Sequence, residues 1–67
     1  MNALAIKEAA ERQPFLPFTV RLNNGKQYTF SQPKNFGAPG NYRHIVFFGD
    51  TEFVLIDLDS IAEIIIK

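Results

Sequence analysis

Two alternating stretches, Phe18-Thr19-Val20-Arg21-Leu22 and Lys26-Gln27-Tyr28-Thr29-Phe30, flank Asn23-Asn24-Gly25 and leave this chain few ways to begin a sheet. Apolar and polar residues alternating with period two mark half-buried strands. A two-residue Asn24-Gly25 turn would set Tyr28 opposite Arg21 and Phe30 opposite Thr19, throwing the apolar side chains of the two strands onto opposite faces. A three-residue loop, Asn23 to Gly25, instead pairs Leu22 with Lys26, Val20 with Tyr28 and Phe18 with Phe30. A one-residue slip flips every side chain, so burial selects the second register. That loop ends on a residue of left-handed backbone, which Gly25 adopts without steric cost.

Upstream, residues 3–13 are rich in alanine and straight-chain residues that favour helix, with Asn2 as the expected N-cap. Ile6, Ala9, Ala10 and Gln13 fall on one face, Glu8 and Arg12 form an i,i+4 pair on the other, and Pro14 ends the helix. So short a helix needs a docking surface, and Ile6 and Leu4 are its expected anchors. Residues 14–17 form an extended connector held by two prolines.

Downstream, residues 31–43 read as a loop, carrying Pro33, Gly37, Pro39 and Gly40. His44–Phe48 and Glu52–Asp57 read as strands buried on both faces, joined by a tight turn at Gly49-Asp50. The last strand, Ile61 to Lys67, puts Ile64 and Ile66 on one face and Ile65 on the other. A terminal strand apolar on both sides invites pairing with another chain, so Ile61, Ile64, Ile65 and Ile66 are the expected oligomer interface. The elements predict one domain, 1–67, mostly β with an N-terminal α-helix. It is expected to be a small five-stranded bent antiparallel barrel of SH3-like or Sm-like type, and a helix on an open antiparallel sheet is the alternative.

Size sharpens the case for assembly. A chain of 67 residues buries about 60% of its unfolded surface, and chains this small lean on disulfides, metals or association. Cysteine is absent and His44 is the single histidine, which leaves association. No apolar run approaches a membrane span and no signal-peptide pattern opens the chain, so a soluble, cytoplasmic protein is expected. Charge is uneven: residues 1–48 hold six Lys/Arg against two acids, and residues 49–67 hold five acids against Lys67, giving halves of +4 and −4. Such halves suit nucleic acid or self-complementary faces.

Chemistry-bearing motifs are few. Ser31 and Ser60 lack a base partner, His44 opens an apolar strand, and no phosphate-binding glycine loop occurs, so no catalytic residue, cofactor or metal is expected. Asp57 with Asp59, or Asp50 with Glu52, would suit a hard cation, but no calcium-loop spacing surrounds them. Lys34, Tyr42 and Arg43 combine cations with an aromatic ring, the mixture that contacts phosphates and stacks bases, with Arg21 and Lys26 as secondary candidates. Phe36, between them, is expected in the core. A protein partner taken by strand addition at an open edge is the competing expectation.

Two stretches resemble the Sm/LSm family, including the bacterial Sm-like riboregulators. One is the hairpin from Phe18 to Tyr28. The other is Ile56-Asp57-Leu58-Asp59-Ser60-Ile61-Ala62-Glu63-Ile64, similar to the family's short turn between its last two strands. With the preceding helix they cover about half the chain. The resemblance implies a ring of subunits joined edge to edge through the last two strands, with RNA bound around the pore. Thr29 stands where the family usually has glycine, and Asp57 and Asp59 stand where RNA-binding members present basic or amide residues. Gln13 to Phe18 is also similar to a Gln-Pro-Phe-x-Pro-Phe stretch of short bacterial proteins to which no function attaches.

Overall fold

The computed structural model describes residues 3–38 and 43–66. The expected N-cap Asn2, the stacking candidate Tyr42 and the terminal Lys67 lie outside the described residues. The chain runs α1 (Ala3–Glu11), β1 (Phe18–Leu22), β2 (Gln27–Phe30), a 3₁₀ turn (Pro33–Asn35), β3 (Phe36–Gly37), β4 (His44–Phe48), β5 (Phe53–Asp57), a second 3₁₀ turn (Leu58–Ser60) and β6 (Ile61–Ile66). The strands form two three-stranded antiparallel sheets, ordered β2-β1-β6 and β3-β4-β5. This differs from the expected five-stranded barrel: among the described residues there are six strands, and no hydrogen-bonded pairing closes the two sheets into a barrel.

The first hairpin has the register that burial demands. Phe18 faces Phe30 and Val20 faces Tyr28. The Leu22 amide donates to the Lys26 carbonyl, and the Gly25 amide donates to the Leu22 carbonyl, with Gly25 at φ +90°. The extra strand, β3, lies inside the segment expected to be loop. β2 ends at Phe30, and Pro33, which cannot donate to a ladder, opens the 3₁₀ turn. Asn35 then pins the turn: its Oδ1 accepts from the Gln32 amide at 3.1 Å and its Nδ2 donates to the Phe48 carbonyl at 2.8 Å. Phe36 and Gly37 are thereby delivered to pair with Phe47 and Val46.

The core gathers Ile6, Ala9, Phe18, Val20, Phe30, Ile45, Ile56, Leu58 and Ile61. Phe18 and Phe30 stack at 4.9 Å between ring centres; Phe36 sets its edge against Phe30 at 5.6 Å, and so does Phe47 at 5.3 Å. These rings join the two sheets, and Phe36 is a half-buried member of the core, as expected. Three expectations are corrected. The helix ends at Glu11, since Pro14 bars helical geometry from Gln13. Arg12 therefore lies beyond the helix, and no Glu8–Arg12 ion pair forms. Leu4 is 58% exposed, leaving Ile6 and Ala9 as the anchors. Finally, β4 and β5 are buried on one face only, because among the described residues no element packs on the outer face of their sheet. Ile45, Phe47, Val54 and Ile56 turn inward, whereas Phe53 is 72% and Leu55 63% exposed.

Candidate interaction edges and basic surface

Among the described residues β6 and β5 are edge strands of their sheets: β6 pairs with β1 alone, and β5 with β4 alone. Residues of an antiparallel strand alternate in which neighbour their N–H and C=O address, so each hairpin closure sets the phase of the whole strand. Leu22 bonds to Lys26 across the first hairpin, so Leu22, Val20 and Phe18 address β2 while Arg21 and Thr19 address β6. Their partners Glu63 and Ile65 are then used, and Ile64 and Ile66 point their backbone groups outward from the sheet. On β5 the Gly49 amide donates to the Glu52 carbonyl at 2.8 Å, and the Leu58 amide donates to the Arg43 carbonyl at 3.1 Å. Residues 52, 54, 56 and 58 thus serve β4, and Phe53, Leu55 and Asp57 present open backbone groups.

The side chains on the two edges face differently. Ile64 and Ile66 lie on the same face as Val20 and Phe18, beneath α1, where with Ala5, Glu8, Ala9 and Arg12 they line a groove of about 520 Å³. Phe53 and Leu55 lie on the outer face of the second sheet, beside Phe48 and Val46. Of the four isoleucines expected at an oligomer interface, Ile61 is 5% exposed and packed in its own chain's core, Ile64 and Ile65 are half-buried, and Ile66 is 45% exposed. The reading from sequence missed Phe53 and Leu55. A run apolar at every position, Phe53 to Ile56, gives no sign of which alternate residues are outside; the Asp57 that follows in phase with Phe53 and Leu55 was the available clue.

The basic candidates divide between two ends of the molecule. The Asn23 amide donates to the Ser60 carbonyl at 2.8 Å and its Nδ2 to the Asp59 carbonyl at 3.3 Å, so the hairpin tip with Lys26, the acidic turn and Arg43 share one end. Lys34, exposed, lies at the Phe48–Gly49 end, in a cleft of about 300 Å³ with Ser31, Gln32, Phe47 and Asp50. The five residues of β4 separate the ends, about 13 Å at the usual rise per residue. Arg21 faces Glu63 across β1 and β6, Nε to Oε1 at 2.5 Å, with both side chains nearly half exposed. His44 Nε2 lies 3.8 Å from Asp57 Oδ2. The +4 and −4 halves therefore meet within one chain, strand against strand. At the shared end, Asp57 Oδ1 accepts from the Asp59 amide at 2.9 Å, so that end carries two carboxylates as well as Arg43 and Lys26. Among the described residues no three metal-ligating side chains come together, and no helix is long and apolar enough to cross a membrane. Comparisons with protein-family models, with curated proteins and with solved structures find no match.

Proposed function

We propose that this chain is a non-enzymatic, Sm-like β module that self-assembles by joining the β5 edge of one copy to the β6 edge of the next. The observation that carries this reading is that β5 and β6, among the edge strands of the two sheets, each combine outward backbone groups with exposed apolar side chains, Phe53 and Leu55 on one and Ile66 on the other. Unpaired apolar edges on so small a chain are a liability unless a partner covers them. Read through the bent segment 27–37, the strand order becomes β6-β1-β2/β3-β4-β5. This order leaves the last two strands at the two ends, as edge-to-edge assembly of an Sm-like barrel requires. Light scattering across micromolar concentrations tests the proposal. A monodisperse species several times the 7.6 kDa chain mass is expected, and a lone chain at every concentration would refute it. A monomer that takes up a foreign extended peptide would transfer the edges to the competing role of peptide capture.

RNA binding is the second reading, favoured by the cleft whose lining includes Lys34, Phe47 and Gln32, a cation, an aromatic and an amide, with Asp50 among them. Arg43 and Lys26 are weaker candidates, because two carboxylates, Asp57 and Asp59, repel phosphate at their end, against Asp50 alone in the lining of the cleft. Oligo-U or oligo-A binding that weakens steeply with salt is expected to fall with Lys34→Glu and to change little with Arg43→Glu. Equal affinity for the unaltered chain and Lys34→Glu would remove the cleft from consideration.

A further inference from the structure

Resting on the edge-to-edge reading, the geometry points to the groove between α1 and β6 as the seat for Phe53 and Leu55 of a second copy, so that the helix is part of the assembly interface. In an antiparallel pair, residues that exchange backbone hydrogen bonds stand directly opposite one another with side chains on the same face. The open backbone groups belong to Phe53, Leu55 and Asp57 on β5 and to Ile64 and Ile66 on β6. Any antiparallel register that joins these groups therefore sets Phe53 and Leu55 on the face of Ile64 and Ile66, which is the face beneath α1. A shift of two residues along the strand leaves this unchanged. In a parallel pair the opposed residue is one position away, and the same two side chains would land beside Glu63 and Ile65 on the outer face. Only the antiparallel joint carries the two most exposed apolar side chains into a groove floored by Ile64, Ile66 and Ala9.

Asp57, in phase with Phe53 and Leu55, is the acid that the incoming strand brings to the groove face, whereas Glu52, in phase with Val54 and Ile56, lies on the other face. The groove carries Arg12, which has no ion-pair partner among the described residues, with Glu8 on the same wall. The chain lacks cysteine, so the seat can be read by thiol cross-linking. Ala5 and Leu55 are exposed, and a chain carrying Ala5→Cys and Leu55→Cys, treated with a short bismaleimide, should give a ladder of chains linked from position 5 to position 55. The Ile65→Cys, Leu55→Cys chain should give no ladder. Phe53→Asp with Leu55→Asp should reduce the assembly to single chains with an unchanged circular dichroism spectrum. Linkage of 55 to 65, linkage confined within one chain, or an intact assembly without the 5–55 ladder would overturn the seat while leaving edge pairing in place. A chain that never assembles would overturn edge pairing, and the seat with it.

Discussion

Gly25 offers a test in which backbone conformation can be separated from packing. Its φ is +90°, and a Cβ built there would meet nothing within 4 Å, so any effect of a methyl group comes from the backbone alone. An L-residue in left-handed backbone costs about 1–2 kcal/mol, whereas a D-alanine favours that region and narrows the unfolded ensemble, a gain of about 0.4–1 kcal/mol. For a domain of this size each kcal/mol moves the melting midpoint by about 4–8 °C. Gly25→Ala is therefore expected to lower the midpoint by about 4–16 °C, and D-alanine at the same position to raise it by a few degrees. The chain is short enough for chemical synthesis of both. Midpoints are compared by circular dichroism at one fixed concentration, since association shifts apparent stability. Equal midpoints for the L- and D-alanine chains would refute the three-residue turn as the device that sets the register.

Other expectations follow from the same contacts. Phe30→Ala removes a fully buried ring that touches Phe18, Phe36 and Phe47, at a cost of about 3–5 kcal/mol, against a total of about 3–10 kcal/mol for 67 residues. Far-ultraviolet circular dichroism should therefore show a large unfolded fraction at physiological temperature. Asp57→Ala removes the carboxylate that accepts the Asp59 amide and should lower stability by about 1 kcal/mol in urea titrations. The half-exposed Arg21–Glu63 pair should give a coupling of less than about 1 kcal/mol in a double-mutant cycle, shrinking as salt is raised.

Parity explains how far the sequence reached into the fold. Where polar and apolar residues alternate, as from Phe18 to Phe30, one face must be wet, and the register follows from the order of the residues alone. Where every residue is apolar, as from Phe53 to Ile56, periodicity carries no phase, and both faces read as buried. The candidate site suffered from a related limit. Lys34 and Arg43 lie nine positions apart in one segment rich in glycine and proline, which suggested a single basic surface. The Asn35 bonds fasten the start of that segment to Phe48, while the Arg43 carbonyl fastens its end to Leu58, so the two cations stand at opposite ends of β4.

By itself, then, the sequence determined the helix with its proline stop, the three-residue turn at Gly25, and the pairing of Phe18 with Phe30, all consequences of local backbone chemistry and strand parity. Tertiary structure decided what local rules cannot express. Among the described residues nothing packs on the outer face of β4 and β5, so Phe53 and Leu55 face solvent. The hairpin that set the register also sets which backbone groups of β6 remain unpaired. The alternating stretch that begins the sheet thereby fixes, through β1, the edge at which a second copy would join.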